Sequence, residues 1–365
     1  MSTCEALVYE DSPTRFAMAR LASTIKPGAG ADTGPLRHRP EHRLEEISGP
    51  GWVSVEPLLA GICGSDLSAL DGRSSRWFEP IVSLPFVPGH EVFATHDGNR
   101  VVLEPVLGCV ARGITPVCPA CAGGDLGRCE RLAHGHIQPG LQSGFCESTG
   151  GGWAGAMSAH VSQLHVVPDD ISDEAAVMVE PTACALHGVL AAEISRGEDV
   201  AVIGAGTMGL ATVAAIARHS APRHLVVAAR HPHQRHLAET LSGALPASVV
   251  GDDALLRAVR RVTGTMIVGS GARQRCTGGV DVTIDCAGTA ASLTQALAVT
   301  RPGGRVVMVG MPGVATVDMT PLWQREISLR GAYTYGTEHI AGQRYRTFDL
   351  AMELVAAARL GDLVS

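Results

Sequence analysis

Four of the chain's ten cysteines crowd into residues 109–129: Cys109, Cys118, Cys121 and Cys129, spaced C-x8-C-x2-C-x7-C on a stretch rich in Gly and Pro. Four thiolates so placed can close a tetrahedral zinc site with no open position, the mark of a structural metal. A redox pair at Cys118-x-x-Cys121 fits less well, because such pairs open a helix after a strand and Pro119 sits inside a Cys-rich loop. A second set is scattered: Gly61-Ile62-Cys63-Gly64-Ser65-Asp66, then Pro88-Gly89-His90-Glu91, then Val179-Glu180-Pro181. Each piece alone is modest. A buried Cys63 is ordinary core, and His90-Glu91 followed by His96 lacks the H-E-x-x-H spacing. The third signal is Val200-Ala201-Val202-Ile203-Gly204-Ala205-Gly206-Thr207-Met208-Gly209, an apolar run, a G-x-G-x-x-G turn and an Ala-rich continuation. In that fingerprint Gly204 permits the tight turn, Gly206 lets the backbone approach a pyrophosphate, and Gly209 lets the helix pack against the sheet. The anion then rests on the helix N-terminus at Thr207 and Met208. The next apolar run ends Val227-Ala228-Ala229-Arg230, with Ala229 where an acid gripping a ribose 2′-OH is expected. Arg230 suits a 2′-phosphate, which favours NADP(H) over NAD(H); exposure to solvent or stacking on adenine are the alternatives.

Composition narrows the chemistry. The 365 residues carry a net charge of −7, with 45% hydrophobic and 18% charged residues, which permits large cores and argues against disorder. Lys26 is the sole lysine. Its isolation excludes a Gly-Lys-Ser/Thr phosphate loop, a protein-kinase strand lysine and the Tyr-x-x-x-Lys reductases, and its turn-rich setting makes it a poor Schiff-base amine. The acidic balance argues against a nucleic-acid surface, and Arg257, Arg260 and Arg261 read as a solvated helix face. The N-terminus carries Glu5, Glu10 and Asp11 and no apolar run, so no secretory signal is expected. No charge-free apolar stretch reaches about 18 residues, so no membrane span or membrane partner is expected. The clustered cysteines then point to a cytoplasmic location.

Several elements must position these residues. Residues 1–50 read as irregular, with 26–50 as a loop insertion between early strands. From Trp52 to Pro168, short apolar runs such as 51–55, 80–85 and 100–103 predict a β-rich, barrel-like domain. Ser172-Asp173-Glu174 opens a helix with an acidic first turn. Strands and Ala-rich helices then alternate over 199–203, 207–218, 225–229, 280–286 and 305–309, predicting a parallel sheet with helices on both faces. One more helical stretch follows near Thr347–Arg359.

From about Gly51 to Gly331 these motifs resemble the zinc-dependent medium-chain alcohol dehydrogenases, in particular the polyol/sorbitol and threonine dehydrogenase branch. The resemblance implies an α/β chain: a β-rich GroES-like catalytic domain at 1–182, a Rossmann doubly wound parallel-sheet cofactor domain at 183–332, and a return segment at 333–365 that is shorter than the family's. It implies a catalytic zinc on Cys63, His90 and Glu180, with Glu91 as the adjacent acid that exchanges with water on the metal. It implies a structural zinc on Cys109, Cys118, Cys121 and Cys129, although the family spaces the first two C-x2-C. Ser65 matches the hydroxyl that relays the alcohol proton; Ser68 replaces the onward histidine, leaving Asp66 or water as the path. Gly279–Gly288, with Cys286, Ala287 and Gly288, resembles the strand that approaches the nicotinamide ribose, with Cys286 as core rather than chemistry. Arg301–Gly310 resembles the next turn and strand. The implied activity is hydride transfer between nicotinamide and a secondary alcohol, polyol or sugar hydroxyl, or the matching ketone, in a homodimer or homotetramer. Asp71, Arg73, Ser74, Ser75, Trp77 and Phe78 line the pocket or form a surface loop, and His160, His165 and His187 read as structural. A zinc-independent enone or quinone reductase and a non-catalytic cofactor-binding protein are the competing readings. The three-piece ligand set argues against the first; Ser68 and the short C-terminus favour the second.

Overall fold

Short apolar runs between Gly and Pro build an antiparallel sheet. A computed structural model describes residues 3–26, 28–44 and 47–364. The chain divides into two units, the first formed by residues 1–180, 335–356 and 364–365. It opens with β1 (Thr3–Tyr9), α1 (Pro13–Ile25), α2 (Gly30–Thr33) and β2 (Leu36–Arg43), then β3 (Trp52–Ala60), α3 (Gly64–Leu70), β4 (Val92–His96) and β5 (Asn99–Leu103). It continues with α4 (Pro119–Gly123), β6 (Met157–His160), β7 (Leu164–Val166) and α5 (Asp173–Val177). Strands β6-β3-β4-β5-β7 form one sheet around Val55, Val92, Ala94, Val101, Leu103, Met157 and Ala159. Ser172 caps α5 by accepting the Ala175 N–H.

Two expectations fail here. The described residues of 1–50 are not irregular: β1 and β2 pair antiparallel, and α1 packs Phe16, Ala19 and Ser23 inward while Met18, Leu21 and Ile25 stay exposed. Apolar residues on both faces erase the helical period, and the polar Leu36–Arg43 run is made a strand by its partner rather than by alternation. Residues 80–85 are not a strand either; a 3-10 turn runs from Arg76 to Ile81, and Pro80 and Pro85 each remove a ladder donor.

The second unit, residues 181–334 and 357–363, is built on parallel pairs. The helix α6 (Val179–Ala191) spans the boundary, and β8 (Asp199–Ile203), α7 (Thr207–His219), β9 (His224–Ala228), α8 (Pro232–Ser242), β10 (Ala247–Val250) and α9 (Leu255–Thr263) follow. A short hairpin, β11 (Ile267–Val268) and β12 (Arg275–Cys276), precedes β13 (Val280–Asp285), α10 (Ala290–Val299), β14 (Thr300–Met308), α11 (Thr320–Gln324) and β15 (Ser328–Gly331). The six-stranded order is β10-β9-β8-β13-β14-β15, all parallel, the doubly wound order of a dinucleotide-binding sheet. The central strands β8, β9 and β13 are almost wholly buried, which is why they read as unbroken apolar runs, whereas the edge strands β10 and β15 are half-buried to exposed.

The chain then returns to the first unit as β16 (Thr337–Ile340), β17 (Gln343–Arg346) and α12 (Thr347–Ala357). Arg344 and Arg346 donate to the carbonyls of Gly123 and Gly124 at 2.6 and 3.0 Å, and Arg346 also bonds the buried Glu104. His165 holds the other oxygen of Glu104 at 2.8 Å and stacks on Phe348, a structural role.

Candidate active site and metal centres

The register of β3 and β4 pairs Ala60 with Val92, so the residues just beyond both strand ends lie opposite one another. The Gly61 N–H donates to Glu91 O at 2.8 Å, and a Cβ on Gly61 would lie 1.9 Å from a Glu91 carboxylate oxygen, so only glycine fits. Trp153 wedges between the two loops. Its indole N–H donates to Gly61 O at 3.2 Å, and a Cβ on Gly89 would meet its ring at 2.5 Å. Cys63 starts α3, and the Asp66 carboxylate three residues on accepts its N–H at 2.9 Å. The result brings one ligand atom each of Cys63, His90 and Glu91 within 4.8 Å of one another.

Asp66 is buried, and its second oxygen faces His90 Nδ1 at 3.6 Å. A carboxylate behind a histidine orients the ring and raises its basicity as a ligand. That role was not read from the sequence, because it depends on helix geometry. With one oxygen on the Cys63 amide and the other toward His90, Asp66 serves the ligand frame. Burial opposes charge on His90, but Asp66 and Cys63 outweigh it and raise its pKa well above the usual value. Burial is also the main cause that pushes Glu91 up to about 7, helped by repulsion from Glu180, itself buried. Two buried acids and a thiol beside a histidine are a site in want of a cation. The Ser65 hydroxyl beside them is buried with no partner among the described residues. Asp71 is not free to hold a substrate: it is buried and accepts from Ser23 and Arg73 at 3.0 and 2.7 Å, while Trp77 is exposed.

Cys109, Cys118, Cys121 and Cys129 also come within 4.8 Å of one another, so the eight intervening residues loop out and Cys109 joins the set. The Cys109 and Cys129 sulfurs are 3.7 Å apart. Zn–S bonds of about 2.3 Å in a tetrahedron put sulfurs about 3.8 Å apart, so the donors fit that metal. Every sulfur accepts at least one backbone N–H at 3.4–3.5 Å: Cys109 from Cys118, Cys118 from Cys121, Cys121 from Cys109 and Cys129 from Arg131. Cys118 caps α4, and although burial pushes its pKa up, amide donors led by Cys121 and Glu130 outweigh that and bring it to about 6. Burial raises Cys121 and Cys129.

In the second unit the glycine turn sits where the sheet order reverses, between β8 and β13. Gly204 has φ +93°, and a Cβ on Gly209 would lie 1.8 Å from Gly204 O. A Cβ on Gly206 would meet nothing within 4 Å, leaving open space before Thr207 and Met208. Behind the turn, Cys286 donates its N–H to Ile203 O and lies 3.4 Å from the Thr212 hydroxyl; burial pushes its thiol up to about 12, which disfavours the thiolate. Asp285, missed in the sequence, accepts the Ala287 and Gly288 N–H groups and the Ser292 hydroxyl, all at 3.0–3.1 Å, and so shapes the next turn. Arg230 extends from the end of β9 and pairs through Nε with Asp252 at 3.2 Å.

The chain and its fold have relatives. The alcohol dehydrogenase GroES-like domain model matches residues 49–169, and the zinc-binding dehydrogenase model matches 207–356. A sorbitol dehydrogenase of Arabidopsis thaliana is 31% identical over 302 residues, covering 79% of this chain and 75% of that protein. An L-idonate 5-dehydrogenase of Vitis vinifera is 29% identical, covering 79% and 74%. A zinc-binding dehydrogenase from Sinorhizobium meliloti, solved with NADP, superposes with a TM-score of 0.67 at 24% identity, covering 98% of this chain and 89% of that one. The chain belongs to the zinc-dependent medium-chain alcohol dehydrogenases, in their polyol and threonine dehydrogenase branch. It is an oxidoreductase that moves a hydride between a nicotinamide cofactor and an alcohol or the matching ketone. No described helix is long and apolar enough to cross a membrane.

Proposed function

We propose that this chain oxidises a secondary alcohol, polyol or sugar hydroxyl, or reduces the matching ketone, with NADP(H) favoured over NAD(H). Cys63, His90 and Glu180 hold the catalytic zinc in this reading, with Glu91 exchanging at the metal, and the four-cysteine cluster holds a structural zinc. The carrying observation is the convergence of Cys63, His90 and Glu91, with the unpartnered Ser65 hydroxyl two residues beyond Cys63; Glu180, near enough to repel Glu91, joins the ligand set by the family likeness. When bound, zinc supplies a Lewis acid that lowers the pKa of an alcohol, and nicotinamide supplies the hydride acceptor. Ser65 Oγ takes the alcohol proton and passes it to water, since Ser68 stands where the family has a histidine. Asp66 keeps His90 oriented. The turn Gly204–Gly209 grips the pyrophosphate through backbone N–H groups, and Arg230 meets the 2′-phosphate. Cys286, Ala287 and Gly288 form the turn at the nicotinamide ribose. The reading includes a homodimer or homotetramer, supported by the open edge of β15, and a reducing cytoplasm, supported by cysteines that are free thiols.

Metal analysis with an alcohol/ketone panel, scored with both cofactors, tests it. Two zincs per chain and chelator-sensitive turnover are expected, fastest with NADP(H). Under one zinc per chain with turnover indifferent to chelation would sink the metal reading, and a strong NAD(H) preference would remove the role of Arg230.

A further inference from the structure

The end of β9 lacks the acid that holds a ribose 2′-OH, yet an acid reaches the same place from the neighbouring strand. Ala228 of β9 pairs with Val250 of β10, and the Ala229 N–H donates to Val250 O at 2.8 Å. Two residues further along each chain, the register brings Arg230 and Asp252 together, with Nε 3.2 Å from the carboxylate. Both lie beyond the carboxyl ends of parallel strands, one strand out from the glycine turn, where open sheets of this kind bind ligands. The bond uses Nε and leaves the terminal nitrogens of Arg230, with four N–H donors, for another anion. Arg235 is spent elsewhere, on the carbonyls of Ala229 and Arg230 at 3.3 and 3.1 Å, which stiffens the turn that carries Arg230. Arg230 is 78% exposed and Asp252 34%, so their ion pair is weakly held and open to competition.

We propose that Asp252 is a specificity-determining residue: its carboxylate competes with a 2′-phosphate for Arg230 and accepts the 2′-OH when that phosphate is absent, so the chain uses both cofactors. The inference rests on the dinucleotide reading of the second unit and names what tunes it. A phosphate dianion approaching Arg230 finds its Nε already engaged and feels the nearby carboxylate as a like charge. A ribose without the phosphate finds in Asp252 the acceptor that Ala229 does not supply.

Calorimetric binding of NADP+ and NAD+ to the full chain, repeated with the fragments adenosine 2′,5′-bisphosphate and AMP, tests this without turnover. Asp252→Asn keeps an oxygen acceptor for Nε and removes the charge. The expected result is binding of both dinucleotides by the parent chain, and in Asp252→Asn an NADP+/NAD+ affinity ratio raised about 3- to 10-fold, shrinking as salt is added. Arg230→Ala is expected to lower the ratio. An unchanged or lowered ratio in Asp252→Asn, with both dinucleotides still bound, overturns this inference alone. Binding of neither dinucleotide overturns the cofactor reading with it.

Discussion

The two metal-ligand clusters of the first unit differ in what their surroundings are built to do. In the four-cysteine cluster all donors are of one kind, each sulfur accepts at least one backbone N–H, and three of the four cysteines are buried. Around Cys63, His90 and Glu91 the donors are mixed, the carboxylates repel, and the buried Ser65 hydroxyl has no partner among the described residues. A closed, self-satisfied shell spends the metal's affinity on folding, whereas an unfinished one keeps room for a substrate oxygen.

The sharpest way to break that comparison is to remove one sulfur from each cluster. Cys63→Ser is expected to cut kcat/KM roughly 10³-fold, about 4 kcal/mol, with stability changed by less than about 1 kcal/mol. Cys118→Ser is expected to cost about 3 kcal/mol or more of stability, with activity lost only as the fold is lost. Thermal melts beside initial rates read both, and equal stability losses in the two variants would erase the distinction. Next, Ser65→Ala should lower kcat about 10²-fold while both metals stay bound. An unchanged kcat across the pH range would show that the proton leaves another way. Asp66→Asn should weaken metal retention at the Cys63 cluster about 10- to 100-fold and leave the four-cysteine metal in place, as competition with a chelator would show.

The smallest effect separates metal loss from ordinary acid sensitivity. In the second unit Asp199 is buried, which opposes its charge, but Arg223 and His224 outweigh that and hold its pKa below the usual value. A carboxylate depressed in the fold stabilises above its unfolded pKa, about 3.9, and loses that contribution as pH falls through the folded value. Asp199→Asn should therefore cost about 1–2 kcal/mol at neutral pH and flatten the stability curve below about pH 4. Glu198, held low by its hydrogen bond to Arg305, contributes acid sensitivity of the same kind, so the share due to metal loss is read by repeating the melts with a chelator present.

The parts of this molecule legible in its sequence are those where one residue type answers one local demand. Gly204, with φ +93°, and Gly209, against Gly204 O, could be assigned roles because no side chain fits there. The sheet of the second unit could be read because its central strands β8, β9 and β13 are buried on both faces. Asp66 and Asp285 could not be assigned their roles, since a carboxylate three residues from the N–H that donates to it acquires meaning only once the turn closes. The first fifty residues were opaque for the opposite reason: α1 shows apolar side chains to both sides, so its periodicity cancels. Nor does any local pattern join Glu104 to Arg346, 242 positions apart.

That long-range pair has a consequence for how the protein is made. Glu104 and the α4 carbonyls emerge from a ribosome with the first unit, while Arg344 and Arg346 follow only after the whole intervening sheet. At about 5–20 residues per second the wait is on the order of 10–50 s. Through it, Glu104 has His165 for company but not its arginine. The second unit is almost contiguous and can complete itself during synthesis. The first unit can close its five-stranded sheet early, but its buried Glu104 waits for Arg346, and it is there that a nascent chain most needs protection.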